Sequence, residues 1–113
     1  MIDAFEFGSI TIQGQTYTTD VLIFPDGRVA DGWWRKHGHR LSMRDLGTLL
    51  ADEPEIIVVG AGIHGRMLPE TGLPETIQDL GIELIIAPND QAVKDFNRLV
   101  ASRRTAGGFH LTC

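Results

Sequence analysis

The alternation of apolar and polar positions divides the chain into short strands and amphipathic helices. Phe5, Phe7, Ile10 and Ile12 sit among polar residues, with a change of phase near Gly8, and Gly14-Gln15 turns the chain, so the start is β-rich. Val21-Leu22-Ile23-Phe24 is apolar throughout, which predicts a strand covered on both faces. Pro25-Asp26-Gly27 is a turn in which proline presets one backbone angle and glycine accepts a positive one, and Val29 to Trp34 is the expected returning strand. Ser42-Met43-Arg44-Asp45 has the form of a capping box. Met43, Leu46, Leu49 and Leu50 then share one helical face up to the stop at Pro54. Ile56-Ile57-Val58-Val59 reads as a buried strand that Gly60-Ala61-Gly62 ends. Pro74 fits the first turn of a second helix and Gly81 its C-terminal cap. Ile82 to Ala87 is the next strand; Pro88 breaks it, and Asn89 or Asp90 is expected to cap a third helix. In that helix Ala92, Val93, Phe96, Leu99 and Val100 form the apolar stripe, and Arg103 and Arg104 suit the negative end of its dipole. Gly107-Gly108 is expected to release the chain into a last strand at Phe109-His110-Leu111.

Strands alternating with helices predict an α/β sheet, and the β-rich start adds antiparallel neighbours, so the sheet is expected to be mixed. No repeat, linker or low-complexity tract interrupts residues 1–113, which read as one domain with about three helices. An apolar fraction of 42% with 22% charged residues is that of a globular chain, large enough to need no metal or disulfide. A net charge of −5 disfavours general nucleic-acid binding. The single cysteine, Cys113, permits no internal disulfide, no apolar run is long enough to span a membrane, and the first residues lack a basic signal region. The cytoplasm is the expected location.

Asp20-Val21-Leu22-Ile23, Trp33-Trp34-Arg35, Gly38-His39, Asp45-Leu46, Gly60-Ala61-Gly62, Gly81-Ile82-Glu83-Leu84, Asn97-Arg98-Leu99 and His110-Leu111-Thr112-Cys113 occur in an order and spacing that run nearly end to end. In these pieces the chain resembles a family of small α/β proteins that includes the adipogenesis-associated Mth938-domain protein of animals, a mitochondrial complex I assembly factor, and bacterial and archaeal relatives. The resemblance implies a three-layer α/β fold with a mixed central sheet and an additional β layer. It implies no catalytic residue. Its one departure is Pro88-Asn89-Asp90 where the family pattern has Pro-Thr, and asparagine or aspartate caps a helix as threonine does.

Two segments stand out chemically. Gly60-Ala61-Gly62-Ile63-His64-Gly65 has the spacing of a dinucleotide fingerprint, but Pro69, Gly72 and Pro74 delay the helix that would have to begin inside it. The looser reading is a small-anion or ligand site, enzymatic or not, on the Gly60 and Gly62 amides with Arg66 as countercharge; the plain reading is a tight turn. The second segment runs from Trp33 through Trp34, Arg35, Lys36, His37, His39 and Arg40 to Arg44, holds four of the ten basic residues, and contains no acid. Paired tryptophans among arginines suit a protein interface, and only one indole of a strand pair can face the core. The plain reading is one core tryptophan beside a solvated basic loop. Asp20 and Asp31 flank strands and are candidates to pair with Arg35 or Arg40. Three imidazoles, His37, His39 and His110, with the Cys113 thiol could in principle hold zinc, but nothing in the sequence brings the pairs together. A reactive Cys113 has only His110 beside it to argue for it. Hydrolase, metalloprotease and phosphate-loop motifs are missing from the sequence. The favoured expectation is therefore a non-enzymatic interaction or assembly module, binding a partner protein or itself, with no assigned catalytic residue, cofactor or metal.

Overall fold

The computed structural model describes residues 1–35 and 38–113. Within these described residues ten strands and three helices follow in order. The strands β1 (Ile2–Glu6), β2 (Ser9–Ile12) and β3 (Gln15–Tyr17) form an antiparallel meander. The hairpin β4 (Val21–Ile23) and β5 (Val29–Asp31) follows, then β6 (Arg40–Leu41), a 3₁₀ turn at Arg44–Leu46, and α1 (Gly47–Ala51). Next come β7 (Ile56–Gly60), β8 (Leu68–Pro69), α2 (Leu73–Asp79), β9 (Glu83–Ala87), α3 (Asn89–Val100) and β10 (Thr105–Phe109). The central sheet has the order β5-β4-β10-β7-β9, with β10 antiparallel to β4 and parallel to β7, and β7 parallel to β9. It is a mixed sheet, as the element order predicts.

Residues on successive strand positions point to opposite faces, so the wholly apolar β7 supplies two cores. Ile56 and Val58 join Val21, Ile23 and Phe109 under α3 and the meander, whose Ile2, Ile10 and Ile12 close that side. Ile57 and Val59 join Leu22 and Ala106 under Leu46, Leu49, Leu73 and Ile77. The result is three layers, with the N-terminal meander as the additional β layer. Asn97 of α3 fastens it: its side chain accepts from the Ile2 amide and donates to the Ile2 carbonyl, each at 2.9 Å.

Four sequence expectations shift. The first helix is half 3₁₀ and short, and only one arm of the capping box forms: the Ser42 amide donates to Asp45 Oδ2 at 2.9 Å, while the Ser42 hydroxyl caps nothing. The returning strand stops at Asp31 rather than Trp34. β6 and β8, two residues each, were not foreseen. The last strand begins at Thr105 and contains Gly107-Gly108 instead of following it. These glycines are packing positions in the middle of the sheet. A Cβ on Gly107 would stand 2.9 Å from Phe96 Cε1, and one on Gly108 2.9 Å from Trp33 Cη2, so each glycine admits an aromatic ring on its own face.

Candidate functional site

Register brings the polar centre together. Phe109 of β10 pairs with Val21 of β4, which sets the next residues, His110 and Asp20, side by side although 90 positions separate them. The Trp33 amide donates to the Asp20 carbonyl at 2.9 Å and lays the segment after β5 along the same place. Alternation along that segment then turns Trp33 and Arg35 inward and Trp34 outward.

Asp20 collects three partners. Its Oδ2 accepts from Arg35 Nη2 at 2.6 Å and lies 2.8 Å from His110 Nδ1, while Oδ1 accepts from the Leu111 amide at 2.8 Å. Burial, the largest single influence, pushes the Asp20 carboxyl up; the hydrogen bonds from His110, Leu111 and Arg35 together outweigh it and hold the group below its ordinary range. His110 Nδ1 also lies 2.9 Å from Arg35 Nη2, and it cannot donate to one and accept from the other at once. With Asp20 ionised, the consistent assignment puts the proton on Nδ1, facing the carboxylate, and leaves Nε2 to accept from the Thr112 hydroxyl at 3.4 Å. Arg35 lies with Cζ 4.6 Å from the Trp33 ring centroid, and the Trp33 indole N–H donates to the Asp45 carbonyl at 3.0 Å. Arg35 Nη1 is buried and has no hydrogen-bond partner among the described residues.

The sequence-selected surface therefore splits. Trp33 and Arg35, expected on the interaction surface, are 8% and 7% exposed and belong to the framework instead. Trp34 is 82% exposed. It borders an open groove of about 430 Å³ shared with Trp33, Arg44, Asp45 and Thr48. His39 is exposed, with its ring edge-on to His110 at 5.8 Å between centroids, and Arg40 is exposed opposite Leu68 in the β6–β8 pair. Of the anticipated acid–base pairs Asp20–Arg35 is present; among the described residues Asp31 makes none with Arg35 or Arg40. Lys36 and His37 lie outside the described residues.

The glycine bend is built for close approach. Gly62 has φ of 101° and carries no Cβ where the main chain of Cys113 crosses it, and Gly60 lies against the Phe109 ring and the Asn89 side chain. The amides that follow Gly60 donate within the chain: Ala61 to the Ala87 carbonyl at 2.9 Å, Gly62 to Asn89 Oδ1 at 3.1 Å, and Ile63 to the Thr112 carbonyl at 2.7 Å. The His64 and Arg66 amides, each at 3.3 Å, converge on the Cys113 carbonyl. The loop thus offers no free amide nest to an anion, and Arg66 is a solvent-exposed cation beside it. α2 begins at Leu73, far beyond the fingerprint, so the dinucleotide geometry is not formed.

Asn89 was expected as a helix cap. The N-cap position is Pro88, and no side chain caps α3. Asn89 is 2% exposed and bridges two segments, accepting from Gly62 and donating from Nδ2 to the His110 carbonyl at 2.7 Å. Because the His110 amide donates to Gly60 at 2.9 Å, the bend and the Asp20–Arg35 centre are parts of one packed framework. Asp20, His110 and Asn89 are its residues that pattern reading undervalued; an acid set immediately before a wholly buried strand was the available signal. Among the described residues no group of three or more His, Cys, Asp or Glu is placed to hold a metal.

A family model described as a protein of unknown function (DUF498/DUF598) matches residues 2–110. Among solved structures, the conserved hypothetical protein PH1505 of Pyrococcus horikoshii OT3 is similar at 28% identity, with a TM-score of 0.88 and coverage of 100% of this chain and 99% of the other. A protein named MT938 is 30% identical with a TM-score of 0.81, covering 100% and 98%. A Bordetella pertussis protein described as a Mth938-like domain shares the fold at 16% identity, with a TM-score of 0.66 over 98% and 85%.

Proposed function

Because this chain belongs to the DUF498/DUF598 family, whose description assigns no activity, we propose its role from its surface: a protein-interaction module that seats an acidic, apolar-tipped segment of a partner protein in the groove beside Trp34. The observation that carries the reading is the contrast within three consecutive residues. Trp33 and Arg35 are locked into the core, and they hold an indole that is 82% exposed between them. A large rigid aromatic ring presented this way loses little entropy on binding and is the usual anchor of an interface. Arg44 forms the groove's wall and has no ion pair among the described residues, although the chain as a whole carries −5. Arg44 suits a short acidic segment, while the overall charge of −5 disfavours a long polyphosphate backbone. An assembly role, extrapolated from the complex I assembly factor in the family that the chain resembles, agrees with this. Against the rival small-anion reading of Gly60, Gly62 and Arg66, the Gly62 amide is already bonded to Asn89 Oδ1, and the Ala61, Ile63, His64, Gly65 and Arg66 amides donate within the chain.

A photo-crosslinking phenylalanine at position 34 of the full chain, expressed in its native cells, tests the proposal. The control carries the same group at Lys94, on the exposed side of α3. The expected product is one acidic protein crosslinked from position 34 only. With that protein purified, Trp34→Ala is expected to weaken binding about 30-fold or more, and Arg44→Glu to weaken it with a loss of salt dependence. Equal crosslinking from both positions, nucleic acid in the product, or unchanged binding by both variants would overturn the reading. Arg35→Ala is unsuitable here, since it breaks a buried ion pair.

A further inference from the structure

The central sheet has two edges, and only one is blunted. β5 is three residues long, ends in Asp31, and is preceded by the Arg28–Asp26 pair. β9 is five residues long, pairs among the described residues with β7 alone, and reads Glu-Leu-Ile-Ile-Ala with no lysine or proline inside it. Leu84, Ile85, Ile86 and Ala87 are only half-buried, two at the margin of each core. The Glu83 amide donates to the Glu55 carbonyl and the Ala87 carbonyl accepts from the Ala61 amide, so odd-numbered residues of β9 face β7. By the alternation of a parallel ladder, the N–H and C=O groups of Leu84 and Ile86 point to the open side.

We infer that this edge is a self-association surface, on which β9 of a second copy adds antiparallel about a two-fold axis through Ile85. The geometry is self-complementary. With Ile85 opposite itself, Leu84 faces Ile86 of the second copy and the reverse, and these two pairs exchange four main-chain hydrogen bonds that use all four open groups. The pairing stops there because the Ile82 amide is already bonded to the Ile77 carbonyl and Pro88 has no amide. Charge permits the approach. Glu83 opposes Ala87 rather than another acid, and Arg103 already pairs with Glu83 at 3.1 Å. The groove of about 450 Å³ between α2 and β9, lined by Pro74, Gln78, Ile82 and Leu84, lies beside the position that the second copy's Ile86 would face. The strand alone is smaller than a standard interface, so association falls in the weak, micromolar range. This surface is distinct from the Trp34 groove, and either can fail without the other.

Two experiments test it. In sedimentation equilibrium the wild-type chain is expected to move with concentration from 12.4 kDa toward twice that mass. Ile86→Pro removes an open-side amide from each copy and is expected to weaken association about tenfold or more, with the fold checked by circular dichroism. Leu84→Lys, which keeps every amide, is expected to do the same if the proline disturbs the strand. In a Cys113→Ser background, Ile85→Cys is expected to oxidise to a covalent dimer, because narrow antiparallel pairs hold Cα atoms about 4.5 Å apart, within disulfide reach. Leu84→Cys is expected to give no covalent dimer under the same oxidant. A wild-type chain monomeric at every concentration, a dimer indifferent to both edge variants, or equal crosslinking from positions 84 and 85 would overturn the inference.

Discussion

Asn89 separates two physical accounts of the same position, and substituting it decides between them. A residue that merely begins a helix tolerates aspartate, which caps well and favours the positive end of the dipole. In the structure Asn89 instead needs one acceptor and one donor, for the Gly62 amide and the His110 carbonyl, in a place where it is 2% exposed. Asn89→Ala leaves both partners buried and unbonded. At about 1–3 kcal/mol for each, the loss is about 2–6 kcal/mol. For a domain of this size that lowers the melting temperature by about 8–24 °C. Asn89→Asp keeps the acceptor but turns a charge toward the His110 carbonyl, so it too is expected to destabilise at pH 7. Its penalty has a pH signature. Burial and the facing carbonyl raise the folded-state pKa of the new acid above the unfolded value, so the folded state binds more protons. The penalty is therefore absent below about pH 4, grows as pH rises through the folded-state pKa, and is full above it. Urea denaturation of wild type and both variants between pH 4 and pH 8, compared at constant m-value, reads all of this. An Asn89→Asp protein within about 0.5 kcal/mol of wild type at pH 7 would refute the bridging account and restore the cap.

Other expectations rest on different contacts. Asp20 has a folded-state pKa held below its unfolded one, so its contribution is present above about pH 4 and is lost as pH falls through the lower, folded value. Asp20→Asn is thus expected to flatten the acid limb of the stability–pH curve, measured by denaturant titration. Gly108→Ala forces a methyl against Trp33 and is expected to cost about 1–3 kcal/mol. Trp33→Phe removes the ring atoms in the way, so the double variant is expected to lose less than the two single losses added, and additive losses would contradict the packing described. Trp34→Ala is expected to leave thermal stability within about 0.5 kcal/mol of wild type, whereas Trp33→Ala is expected to lose about 3–5 kcal/mol.

Where local pattern and tertiary packing agree, the chain was readable. The apolar stripe of α3, the β-branched runs of β7 and β9, and the inward–outward pair at Trp33 and Trp34 are all consequences of periodicity, which a single segment carries within itself. Gly107-Gly108 misled for a physical reason. Glycine is usually a sign of turns, and here it is selected by rings from α3 and from the segment after β5, neither adjacent in sequence. β6 and β8 are two residues each, too short for any period to show. The Asp20–Arg35 pair was legible as a charge match flanking strands, but His110 joins it only through the β4–β10 register. Asn89 was visible as a helix-start residue, and nothing nearby in the chain announces that its amide group reaches Gly62 and His110.

The middle strand of the sheet comes later in the chain than all four strands around it. β4 with β5, and β7 with β9, are complete pairs well before Thr105–Phe109 is synthesised to fill the seam between them. Until then each pair presents an unmatched inner border to the cell, and folding during translation can prepare the halves but not join them. A nascent chain stalled before residue 105 is therefore a sticky species, and the arrival of Thr105–Phe109 is the step that closes the sheet.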